Sequence, residues 1–231
     1  MVYAKAVPLL ALNPSIIVVP LLMAVIGVLF MLVMVPYGSG VGGLTGQLAS
    51  FIVILLKLFG LGAACIIADD AWRHGRASFE NGWAEARRRG GDILFAALGF
   101  TLLLSVAQYA GSLIGPLALA LTVLVVVFLV WTIPAAAVGG VPGGAAIQAS
   151  VDRVRDAPLA AAVAAIVSFA LLAIGEPMLS SYLGGLLFPL TAGSIIPVLL
   201  LSALLQGITA GYIALILTKT YTDAAFGTRR W

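Results

Sequence analysis

Apolar residues run along this chain in blocks of about twenty, broken by short polar segments, instead of alternating with polar residues as in a half-buried sheet. A helix needs about 20 apolar residues to cross the hydrocarbon core of a bilayer. The blocks therefore predict spans over 16–35, 48–68, 93–113, 114–136, 157–175 and 194–217. The third and fourth form one run, which AGSLIGP (110–116) divides, because glycine beside proline favours a tight turn. The expected fold class is all-α: a polytopic membrane protein with six transmembrane helices. The first block follows the nearly uncharged MVYAKAVPLLALNPS and is longer than a signal-peptide core, so a retained first span is expected.

The polar segments have a pattern of their own. GRASFENGWAEARRRG (75–90) and GGAAIQASVDRVRDAP (143–158) align without gaps. Phe79, Trp83 and Ala86 match Ile147, Val151 and Val154, and Arg87 matches Arg155. Spacing of i, i+4 and i+7 puts the apolar members on one helix face and the charges on the other. The N-terminus follows the template more loosely, with Tyr3, Val7 and Leu10 apolar and Pro14 in place of Gly90 and Pro158. Pro8 disturbs a helix there, so this copy is degenerate or short. The reading is one integral membrane domain over 1–231, built of three parallel repeats near 1–70, 71–138 and 139–231. Each is an amphipathic cytoplasmic helix followed by a transmembrane hairpin. Parallel repeats differ from the inverted repeats of many secondary transporters. The amphipathic helices either lie in the headgroup layer, with Trp72, Phe79 and Trp83 as interfacial anchors, or pack beneath the bundle.

Composition agrees with the pattern. Of 231 residues, 62% are hydrophobic and 9% charged, against about 25% charged in a soluble domain. A hidden soluble domain is excluded on that ground. The net charge of +3 suggests no nucleic-acid partner, because the cations sort by side. Lys5, Arg73, Arg76, Arg87, Arg88, Arg89, Arg153, Arg155, Lys219, Arg229 and Arg230 fall on one side, and the loops 36–47, 110–116 and 176–193 carry no Lys or Arg. The positive-inside rule then puts both termini in the cytoplasm, with the plasma membrane as the expected location. The single cysteine, Cys65, makes no intrachain disulfide and no cysteine-based metal site.

Three stretches carry a family resemblance: LNPSIIVVPLL (12–22), IPAAAVGGVPGGAAIQASVDRVRDAP (133–158) and LILTKTYTDAAFG (215–227). With them the chain resembles the six-helix membrane domain found beside bacterial glycerophosphodiester phosphodiesterases, and related bacterial and archaeal membrane proteins. In such proteins an acidic residue often follows the proline run of the middle stretch; here Gly139 and Gly140 stand there. The phosphodiesterase domain itself is absent from this sequence, so the resemblance implies a membrane domain and no phosphodiesterase activity.

Catalytic signatures are lacking: no P-loop and no GxSxG elbow occurs. Asp69, Asp70 and His74 cluster at the inner end of the second span, but no further ligand stands at a metal-binding spacing, and no metal or cofactor is implied. The glycine-rich GVGGLTG (40–46) reads as a flexible outer turn. Packing signals are clearer. Ala203, Gly207 and Gly211 recur every four residues on the last span, a spacing that lets helix backbones approach closely. Ala160 to Ala165 give the fifth span a similar smooth surface. Pro20, Pro134 and Pro197 lie within or near the ends of spans, where they kink a helix or occupy its first turn.

Lys57 is the exception to the charge sorting. It lies about ten residues, roughly 13–16 Å, from either end of its span, farther than a lysine stem snorkels. A central lysine costs about 2.5–3.5 kcal/mol on insertion scales. Depth matching offers Glu176, Gln206, Ser105 and Gln108 as partners for an intramembrane polar site. Two functions are open. One is a non-enzymatic membrane subunit, scaffold or channel component that assembles with other membrane or cytoplasmic subunits. The other is a transporter or permease-like protein for a small anionic solute or lipid, using Lys57. Membrane lipids are partners in either case; oligomeric state is not legible.

Overall fold

The computed structural model describes residues 2–34, 44–115, 117–187 and 195–227. Among them every regular element is helical. Helix is what an apolar solvent selects, because each backbone N–H must find its carbonyl within the same segment. The elements are α1 (Val2–Leu12), α2 (Ser15–Met34), α3 (Leu44–His74), α4 (Phe79–Arg88), α5 (Gly90–Ile114), α6 (Leu117–Leu129), α7 (Thr132–Ala137), α8 (Gly143–Asp156), α9 (Pro158–Ala170), α10 (Glu176–Leu187) and α11 (Ile195–Phe226). Five stretches are long and apolar enough to cross a membrane: Ser15–Met34, Gly46–His74, Gly90–Gly111, Ala120–Ala137 and Ile196–Phe226. Large apolar side chains such as Leu29, Phe95, Val106, Ile166 and Leu186 stand exposed along the bundle, as a lipid solvent permits and water does not.

The division of the long apolar run holds. α5 ends at Gly115, whose φ of 67° lies where only glycine is comfortable, and α6 returns antiparallel against α5. The run 114–136 is not one helix. α6 stops at Leu129 and α7 starts at Thr132. Pro134 explains the break: it has no N–H, and its ring excludes the carbonyl of Val130, four residues back. Ser150 on α8 takes up the freed backbone, donating to the Phe128 carbonyl (2.8 Å) and accepting from the Trp131 N–H (3.1 Å).

The fifth apolar run also differs from expectation. It does not end at Gly175. The chain is helical without a break from Pro158 to Leu187, passing through a π-helical turn at Leu171–Gly175. Residues 176–187 are thus helix and not outer loop. Pro177 lacks the N–H that would close a regular α-turn, and a wider π-turn before it accommodates the loss. That turn divides the run into helices of 13 and 12 residues, each shorter than a bilayer crossing.

The amphipathic helices gather at one end, with the charged residues. α1 rests on α11, α4 on α3, and α8 on α5, α6 and α7. Ser78 caps α4, and Arg87 and Arg88 close its last turn, each charge and cap matched to its helix terminus. Buried Asn13 donates to the Leu9 (2.9 Å) and Gly75 (3.2 Å) carbonyls and accepts from the Ala77 N–H (2.8 Å). Arg89 donates to the Ala137 carbonyl (3.0 Å) and pairs with Glu85. Hydrogen bonds from Arg88 and Arg89 hold the Glu85 carboxyl below the usual carboxylate range. The Trp131 indole donates to Thr220 Oγ1 (3.1 Å), and Thr218 Oγ1 donates to the Cys65 carbonyl (3.2 Å). The densest core lies here too, around Ala63, Ala64, Trp131, Ala136 and Leu215.

Candidate functional site

Among the described residues, two of the cavities between the helices are of interest. α3, α5, α6, α9 and α11 form a ring in which each touches the next. Between these helices lies a cavity of about 230 Å³, partly open to the bundle surface and walled by apolar side chains including Phe100, Leu104, Val126 and Phe169. Its polar lining is Gln108, Thr122 and Ser168. A second cavity of about 270 Å³ lies between α2, α3 and α11, walled by Pro20, Ala24, Ile54 and Ala210, with Lys57 and Gln206 as its polar lining. Leu58, Leu61, Leu172 and Ile213 line both cavities and form the wall between them.

The sequence candidates divide accordingly. Lys57 and Gln206 come together in the second cavity, and Gln206 Nε2 also donates to Ser202 Oγ (3.3 Å). Gln108 belongs to the ring cavity. Ser105 is exposed and lines neither cavity, rotated about 100° round the helix from Leu104 and about 60° from Gln108. The Glu176 side chain and the turn at 40–43 lie outside the described residues.

At the charged end, Asp69 pairs with Arg73 (2.9 Å). Asp70 accepts from the Ser78 N–H (3.0 Å) and contacts His74 Nδ1 (2.8 Å). The cluster thus ties the end of α3 to the start of α4. Trp72 donates its indole N–H to the Leu215 carbonyl (2.9 Å), Trp83 meets Phe59 edge-on (6.4 Å between centroids), and Phe79 stands exposed. Ala203 is fully buried. At Gly207 an added Cβ would meet Leu21 Cα at 3.0 Å, and at Gly211 the Ile17 side chain at 3.2 Å. These small residues let α11 lie against α2, as their spacing implies.

Sequence reasoning did not find Ser168, Leu172, Asn13 or the bridging role of Trp131. Only the last two left a signal. A tryptophan three residues before a mid-span proline, and an asparagine just before the Pro14 boundary, both sit where backbone groups lose their helical partners.

Ser168 is 8% exposed, and its hydroxyl has no hydrogen-bond partner among the described residues. An unsatisfied buried hydroxyl costs about 1–3 kcal/mol. Ser168→Ala is therefore expected to raise the denaturation midpoint in a fixed detergent. A fall in midpoint would mean that the hydroxyl is satisfied in the empty protein. Comparison of the chain with known protein families, with characterised proteins and with solved structures finds no match.

Proposed function

We propose that the chain is a six-span, non-enzymatic protein of the cytoplasmic membrane that binds an anionic amphiphile, a lipid with a negatively charged head, beside Lys57. The spans are α2, α3, α5, α6 with α7, α9 with α10, and α11. They group as three parallel units led by α1, α4 and α8, the arrangement that the resemblance to the phosphodiesterase-associated membrane domain implies. Two features support the units. Asn13 and Arg89 hold matching places, just before Pro14 and Gly90; Asn13 binds backbone at Gly75 and Ala77, just past the end of α3, and Arg89 binds the Ala137 carbonyl at the end of α7. Each leading helix also touches the second span of a hairpin, α1 on α11, α4 on α3 and α8 on α6 and α7, although α8 rests on the first span α5 as well. Both termini then face the cytoplasm, in accord with the charge distribution.

The observation that carries the function is an exposed cation and a half-buried amide on the lining of one otherwise apolar cavity. Lys57 and Gln206 line it together, and its other walls are aliphatic or proline. Ammonium and amide donors recognise phosphate or carboxylate oxygens, and the walls accept hydrocarbon. Ionisable side chains within membrane spans commonly mark substrate or ion sites. The membrane-subunit reading has its own support in the exposed Arg76 and Arg87 beside exposed Phe79 at the charged surface, a face suited to a partner protein.

A charge-assisted hydrogen bond is worth about 1.5–3 kcal/mol, or about ten- to hundredfold in affinity. Lys57→Gln is expected to lower the ratio of phosphatidylglycerol to phosphatidylcholine retained by the purified protein, read by mass spectrometry, by at least about tenfold. An unchanged ratio in the folded variant would sink the anion site.

A further inference from the structure

We infer that the two cavities are the two halves of one site for a long-chain anionic amphiphile, with its head at Lys57 and its chain passing Leu172 into the central ring cavity. This inference rests on the anion reading of Lys57 and adds to it the place of the chain and its gate.

Several features of the wall support this. It consists of four aliphatic side chains, Leu58, Leu61, Leu172 and Ile213, each facing both cavities. Displacing one breaks no hydrogen bond or ion pair. Three of the four sit on the long helices α3 and α11, which are tied together nearby by Thr218 Oγ1 on the Cys65 carbonyl and Trp72 on the Leu215 carbonyl. The fourth, Leu172, belongs to the π-helical turn Leu171–Gly175. It is 47% exposed, so its rotamer is not fixed by a closed core. π-turns recur at functional sites because the wider turn tolerates a local shift. The movable part of the wall is therefore Leu172.

The filling follows from the lining. An apolar cavity of about 150 Å³ stays dry and takes up benzene. The ring cavity is larger, about 230 Å³, and its few polar groups lie among aromatic and aliphatic walls. Water gains too few partners there, while hydrocarbon is the surrounding solvent. Phe169, which is 39% exposed, and exposed Gln108 put part of this lining at the bundle surface. The cation, however, stands in the other cavity. An amphiphile with a negative head is held at Lys57, and the short way for its chain into the ring cavity passes Leu172.

The test uses full-length protein in nanodiscs containing phosphatidylglycerol with a diazirine at the end of one acyl chain. After irradiation, labelled peptides are mapped. Label is expected on Phe100, Leu104, Val126 or Phe169. Leu172→Trp, which fills the wall, is expected to cut that label about tenfold while leaving label near Ile54 and Ala210. Leu172→Ala, which opens it, is expected to raise label in the ring cavity, so the outcome does not depend on the tryptophan variant folding. An unlabelled ring cavity in the unmodified protein, or equal label in both variants, would overturn the joined site. If the Lys57→Gln experiment then still shows loss of anion preference, the head site stands alone. Equal ring labelling by the phosphatidylcholine counterpart would remove the head from Lys57 and overturn the joined site with it.

Discussion

Trp131→Ala is expected to destabilise the protein by about 3–5 kcal/mol, the range for deleting a fully buried large aromatic side chain. Trp131 is 0% exposed and sits in the break between α6 and α7. Its ring fills the core where α3, α7 and α11 converge, and its indole N–H reaches Thr220 Oγ1. Alanine would leave a cavity at the most tightly packed level of the bundle and strand the Thr220 hydroxyl's acceptor face. The backbone bridge through Ser150 is retained, since it uses the Trp131 N–H and not the ring. Trp131→Phe separates the two effects: it keeps most of the volume and loses only the hydrogen bond, worth about 1 kcal/mol. Denaturation midpoints in one detergent measure both. A phenylalanine variant as unstable as the alanine variant would mean that the hydrogen bond, not the packing, dominates.

Gly207→Leu has the second large expected effect. A Cβ at residue 207 would lie 2.9 Å from Leu21 Cβ, 3.0 Å from Leu21 Cα and 3.2 Å from the Leu21 nitrogen. Two of those atoms are backbone and have no rotamer to turn to. On its other side α2 is held by Gly60, whose Cβ position lies 3.2 Å from Pro20 Cα and from Met23 Cβ. α2 is thus clamped between α3 and α11 at Pro20 and Leu21 and cannot retreat from a new side chain. Overpacking of this kind costs roughly 1–3 kcal/mol or more. The variant is expected to give a low yield of folded protein and a depressed midpoint. Gly185→Ala, at a position with open space around it, serves as the control and is expected to be close to neutral. If Gly207→Leu matched that control, α2 and α11 would not be as close as described.

The long apolar blocks were legible because a bilayer imposes their length, and α2, α3, α5 and α11 fall on them with ends displaced by one residue at the least and nine at the most. What was not legible follows from how proline acts. Pro134 and Pro177 both announce a disturbed helix, yet one breaks α6 from α7 and the other is absorbed by a π-turn while the helix continues. The difference lies in the neighbours: Ser150 stands ready beside Trp131, and only the fold brings residue 150 there. The site was half legible. Depth along a span brought Lys57 and Gln206 together, since depth counts residues. Rotation about the helix axis, and the packing of other helices, sent Gln108 to the ring cavity and Ser105 away from both. Leu172 reads in the sequence like any other leucine; its place at the boundary of two cavities depends on three helices at once.

The uneven distribution of polar ties also affects how the molecule meets its surroundings. α3 and α11 have 31 and 32 residues, about 46 and 48 Å, whereas α2 has 20, about 30 Å, the thickness of the hydrocarbon layer. The hydrogen bonds described above fasten the long helices to each other at the charged end, and the cavities lie farther along the bundle. When the surrounding membrane thins or thickens, mismatch is relieved by tilt. The two long helices are therefore expected to answer a change in lipid thickness by tilting, whereas α2, already matched to it, has no length to spare.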